Sequence, residues 1–147
     1  GLRKRAASSH EGTYRLVLRE VPQQPTEADR ISGGVRLLLA LRVPVYVAPT
    51  VVQRDERWQL RRDRDGSLVA QVTNAGNVHL KVATLRLHAG VAGSSPVAEA
   101  PVGALLLPGE GQSVRLRPRV PVGDTPITLE VLTDRGPQYV ALAVAPD

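Results

Sequence analysis

The chain has 147 residues, enough for one domain or for one domain and part of a second. With no Cys, Met or Phe and a single Trp, any core must be aliphatic, and disulfide and zinc-finger chemistry are excluded. A net charge of +5 raises nucleic acid as a partner. Against that, the arginines alternate with apolar residues as on the solvent face of strands, and aromatic residues are only 3%, too few for a base-stacking platform.

In chain order, "GLRKRAASSHEG" is a basic start with no hydrophobic region after it. It reads as a flexible tail over residues 1–12 and not as a signal peptide. "TYRLVLREVP" alternates Tyr14, Leu16 and Leu18 against Arg15, Val17 and Arg19, a strand of period two ending at Pro22. "QQPTEADRISGG" is a polar loop. "GGVRLLLALRVPVYVAP", residues 33–49, then carries an apolar side chain at every odd position from Val35 to Val47. Its even positions mix Arg36, Leu38, Ala40, Arg42, Pro44 and Tyr46. Pro44 and the Gly33-Gly34 pair argue against a helix, so this is a second, longer strand. The stretch falls short of the ~18 apolar residues of a membrane span and carries two arginines, so no membrane insertion is expected.

"APTVVQRDE" reads as a linker. After it come short strands separated by turn signals: "RWQLRR" and "SLVAQVT" joined through Asp65-Gly66, the turn "NAGN", then "VHLKVATLRLH", "VAEAPVGALLL", "SVRLRPRV", "TPITLEVLT" and "PQYVALAV". About seven strands at this spacing predict an all-β, immunoglobulin-like sandwich over residues 50–147. Residues 13–49 supply two strands, which do not make a stable unit in water and must pair with something.

Sites for chemistry are few. Asp63 and Asp65 ahead of Gly66 are too sparse in oxygen ligands for a calcium loop and read as the hairpin turn. His79 and His88, nine residues apart on one expected strand, fall on opposite faces and cannot share a metal. "SSHE" sets Ser8, Ser9, His10 and Glu11 side by side, but sequence neighbours in a tail lack the geometry of a triad. No catalytic constellation, cofactor or metal site is expected, which points to a binding module and not an enzyme.

The order "YRLVLREVP", polar loop, "GGVRLLLALRVPVYVAP", linker, Trp58, "VTNAGNVHLKVATLRL" and "GALLLPGEGQSVRL" resembles the PapD-like periplasmic chaperones of chaperone-usher pilus assembly, from Tyr14 to Pro146. "VPVYVAP" and "NAGNVHLKV" are more similar to the archaic branch, which serves spore-coat-protein-U-like pilins. The resemblance implies two immunoglobulin-like domains, with the first represented here by its strands F1 and G1 alone and its strands A1 to E1 not in the chain. It also implies a periplasmic location, delivery of pilin to an outer-membrane usher, and donor-strand complementation through G1 at residues 34–47. The donor side chains then fall on Val35, Leu37 and Leu39, with Leu41 as an extension. The family's carboxylate-anchoring Lys position is Pro44 here, which leaves Arg42 on the same face as the candidate anchor. Exposed faces and edges on the two strands would also favour self-association, by pairing of two copies, unless the strands fold against the second domain. The alternative function is a non-enzymatic immunoglobulin-like adhesion or scaffold module that associates through the same strand.

Overall fold

A computed structural model describes residues 8–21, 37–90, 94–123 and 126–145. Val35 and the polar loop expected over 23–34 lie outside the described residues. The strands are β1 (Gly12–Arg19), β2 (Ala40–Val47), β3 (Glu56–Arg62), β4 (Leu68–Asn74), β5 (Leu80–Ala89), β6 (Ala98–Leu106), β7 (Gly111–Leu116), β8 (Ile127–Thr133), β9 (Gly136–Leu142) and β10 (Val144–Ala145). Among the described residues there is no helix.

Strands β3 to β10 form two four-stranded sheets, β10-β3-β4-β7 and β6-β5-β8-β9. This is the immunoglobulin-like sandwich that the turn spacing predicts. The final strand changes sheets: β9 pairs with β8, and after a break β10 pairs in parallel with β3 at Leu60 and Arg61. The region therefore holds eight strands among the described residues and not seven, because "PQYVALAV" is split between the sheets.

Period-two alternation builds the core. Leu68, Ala70 and Val72 of β4 face inward, and Leu129 and Val131 of β8 sit opposite Leu87 and Leu85 of β5; all are buried. Removing a leucine such as Leu129 from this packing costs about 2–5 kcal/mol. One irregularity resets the alternation. The register shifts between Val82 and Thr84, so Leu80 and Val82 point inward before it while Leu85 and Leu87 do so after it. On the neighbouring strand Gly103, at φ 60°, takes up the bend in a conformation that a side chain would strain.

"NAGN" does more than turn the chain. Asn74 is buried, and its Nδ2 donates to the carbonyls of Val78 at 2.8 Å and Leu106 at 3.0 Å, which pins the end of β4 to the end of β6 in the other sheet. Gly76 lies against the linker: a Cβ there would come within 2.6 Å of the Gln53 carbonyl, so no larger residue fits.

β1 and β2 form a separate antiparallel pair, with Gly12 opposite Val47 and Arg19 opposite Ala40. The strand expected over 33–49 is shorter than predicted: residues 37–39 are described but lie outside β2. The pairing runs one step further as single bonds, with Glu20 N–H donating to the Leu39 carbonyl at 2.9 Å and Leu39 N–H donating to the Glu20 carboxylate at 3.2 Å.

Candidate functional site

The β1-β2 hairpin has two unlike faces. Directly opposed residues share a face, so Tyr14, Leu16 and Leu18 of β1 stand with Val45, Val43 and Leu41 of β2 on one side. Most of this row is uncovered among the described residues: every residue from Thr13 to Arg19 is exposed and Leu41 is 46% exposed, while Val45, near the anchored end, is half-buried. Leu39 and Leu37 continue the row with exposures of 60% and 84%. A contiguous apolar strip of this kind, beside a sandwich that buries sixteen other core residues, is the candidate interaction surface among the described residues.

The other face carries Arg15 opposite Pro44, Val17 opposite Arg42, and Arg19 opposite Ala40. Among the described residues these three arginines have no ion-pair partner, and the carboxylates that flank β1 in sequence, Glu11 and Glu20, are engaged by His79 and by the Leu39 N–H.

Among the described residues β2 has a neighbour on one side only, so its outer edge offers unpaired main-chain groups. Their positions follow from the ladder. The Glu20 to Leu39 bond marks that pair as hydrogen-bonded, and hydrogen-bonded and non-hydrogen-bonded pairs alternate in an antiparallel ribbon. Leu41, Val43 and Val45 therefore bond to β1, while Ala40, Arg42, Pro44 and Tyr46 turn their main-chain groups outward. Pro44 falls where its missing N–H costs the hairpin nothing, and it leaves a gap in the donors of the outer edge.

The base of the hairpin is tied to the sandwich. Asn77 acts as the clasp: its Nδ2 donates to the carbonyls of Ser9 (2.9 Å) and Val51 (2.8 Å), and its Oδ1 accepts from Gln53 N–H at 2.7 Å. Its own N–H donates to the Gln53 carbonyl, and its carbonyl accepts from Glu11 N–H, both at 2.9 Å. Next to it the Glu11 carboxylate, with a side chain only 5% exposed, meets His79 Nδ1 at 2.8 Å, and the Tyr46 ring lies over the His79 ring with centroids 4.2 Å apart. One end of the hairpin is thus anchored while its faces project free of the sandwich. Sequence reading missed this clasp; the signal for it was an Asn-rich turn with a glycine that tolerates close approach.

The remaining sequence candidates go to structural work. Asp63 and Asp65 are bridged by Arg115, at 2.6 and 3.0 Å, so a guanidinium occupies the ground between them. The Ser67 hydroxyl and N–H both donate to Asp65, and together with Arg115 and Arg117 they hold its carboxyl below the ordinary value. Ser9 Oγ contacts His10 Nδ1 at 2.9 Å, but Glu11 turns away to His79, so no triad forms. His88 is buried, with Nε2 2.9 Å from Glu130 and Nδ1 2.7 Å from the Ser94 carbonyl. The expectation that His79 and His88 occupy opposite faces of one strand is corrected. His79 precedes β5, and the register shift breaks the parity on which that reading relied. They engage different partners, Glu11 and Glu130, at the two ends of the strand.

Comparison with known proteins bears on the fold. The crystal structure of the class 5 fimbriae chaperone CfaA matches 95% of this chain with a TM-score of 0.56 at 9% sequence identity. The chain spans 62% of the length of that structure. No protein-family model and no curated protein sequence matches. The architecture is therefore all-β and immunoglobulin-like, of the kind seen in a fimbrial chaperone. Neither the archaic branch nor any residue role is carried by that likeness.

Proposed function

We propose that this protein is a non-enzymatic pilus-subunit chaperone that works in the periplasm, with the hairpin as its client-binding element. The observation that carries this reading is the exposed row Leu37, Leu39 and Leu41, which leads into β2, a strand whose outer edge is unpaired among the described residues and whose base is anchored. An open edge adds a partner strand through main-chain bonds, and alternate side chains fill the partner's groove. The likeness in fold to a fimbrial chaperone supports the same reading. Val35 joins the donor row by the family resemblance, which continues the alternation of Leu37 and Leu39. Arg42, exposed and unpaired among the described residues, offers a cation to a client carboxylate. Delivery to an outer-membrane usher and the branch serving spore-coat-protein-U-like pilins are the finer form of the proposal, the latter resting on "VPVYVAP" and "NAGNVHLKV".

Full burial of each donor leucine contributes about 1.5–3 kcal/mol before ordering costs. Co-expression with a pilin encoded beside this protein's gene, followed by co-purification, is the test. Wild type should retain the pilin, and Leu37→Arg and Leu39→Arg should lose it. Equal recovery with both variants would show the assignment of the donor row to be wrong. A second reading, self-association as an adhesion or scaffold module, is favoured by the same open edge. Light scattering that shows a monomer at high concentration would remove it.

A further inference from the structure

We infer that the partner strand received by β2 alternates apolar and acidic residues, with its carboxylates facing Arg42, Arg15 and Arg19. The inference rests on the reading of β2 as a strand-adding edge and deepens it by naming the chemistry of what is added.

The two-faced hairpin sets the requirement. A strand laid along the outer edge of β2 places successive side chains on opposite faces. On one face they meet Leu39, Leu41 and Val43, which call for apolar residues. On the other they meet Arg42 directly, with Arg15 and Arg19 at the diagonal positions of β1, and no carboxylate among the described residues neutralises these three. β1 lies two strand spacings from the incoming strand, about 10 Å, which is within the Debye length at ~0.1 M salt. An apolar or basic strand would leave the cations unanswered, whereas one with Asp or Glu at alternate positions answers them. A single terminal carboxylate supplies one negative charge to a face carrying three positive side chains, so side-chain carboxylates fit better than a chain end. The run is short. Pro44 gives the outer edge no donor, so paired main chain extends along Ala40 and Arg42 and fails at Pro44.

The test uses fluorescent, N-acetylated, C-amidated peptides alternating Val with Glu or Val with Lys, titrated against the whole chain by anisotropy. The Val/Glu peptide should bind about tenfold more tightly than the Val/Lys peptide, and raising salt from ~50 to ~500 mM should erase most of the difference. Arg42→Glu should reverse the preference without moving the thermal unfolding midpoint, because Arg42 lies outside the sandwich. Equal binding of both peptides would overturn the inference while leaving strand addition intact. If the same peptides made with a free C-terminal carboxylate bind equally well with Glu or with Lys, while the amidated ones do not bind, the inference is overturned in favour of a chain-end anchor. If neither peptide binds, the inference fails; a pilin that still co-purifies with wild type and not with Leu39→Arg would show that the chaperone reading survives it.

Discussion

The sandwich and the hairpin are built from the same alternating apolar pattern and use it in opposite ways. In β4 and β8 alternate residues such as Val72 and Leu129 are buried against the facing sheet. In β1 and β2 the equivalent residues, Leu16 and Leu41 among them, have no facing sheet among the described residues and remain about half exposed. The contrast teaches that amphipathic alternation specifies a strand and a face but not what meets that face. A two-stranded ribbon cannot stabilise itself in water, so the hairpin depends on its clasp at Asn77 and on whatever its apolar face receives.

The sharpest way to break this comparison is to truncate one leucine in each region. Leu129→Ala should lower the stability of the sandwich by about 2–5 kcal/mol, whereas Leu16→Ala should change it by less than ~0.5 kcal/mol, both read from denaturant midpoints. Comparable losses would mean that the hairpin face is packed in solution. Next in size, Asn74→Ala leaves the buried carbonyls of Val78 and Leu106 without their donor and should cost about 1–3 kcal/mol in the same assay.

Asn77→Ala should barely move global unfolding, yet amide exchange in β1 and β2 should speed up several-fold while β4 and β8 stay protected. Uniform exchange changes would show that hairpin and sandwich open as one unit. The smallest effect concerns Asp65. Its carboxyl is held below the ordinary value of 3.8, so its contribution to stability is fully present above that pH and is lost as pH falls through the depressed value. Asp65→Asn should therefore lower the melting temperature slightly at neutral pH, with the gap to wild type closing in strong acid. A gap that persists there would point to lost packing and not lost charge.

The sequence made the sandwich legible because each strand buries one face and each turn carries Gly, Asn, Asp or Pro where the backbone bends. Asp65-Gly66 closes a hairpin as expected, with Gly66 N–H donating to the Asp63 carbonyl at 2.9 Å. What periodicity could not show is where parity fails. The shift after Val82 inverts the second half of β5 and with it the expected placement of His88, and the split of β9 from β10 depends on which sheet edge is open. At the hairpin, the family resemblance put the donor row on Val35, Leu37, Leu39 and Leu41 and the anchor on Arg42; of these Leu37, Leu39, Leu41 and Arg42 are described, and they are exposed. The spacing did not reveal that Glu11, His79, Tyr46 and Asn77 meet at the base, because contacts between residues 9 and 77 leave no local pattern. The bonding parity that turns Ala40, Arg42 and Pro44 to the outer edge also requires the register with β1, which depends on tertiary pairing.

Amide hydrogen exchange on β2, alone and in complex with a co-expressed pilin, tests the central claim most directly. If β2 is lent to a client, the outward amides of Ala40 and Arg42 should become strongly protected on binding, while those of Leu41 and Val43, already paired with β1, should change far less. A complex that forms while Ala40 and Arg42 exchange as fast as in the unbound chain, or that protects only the sandwich strands, would contradict the assignment of β2 as the strand that binds.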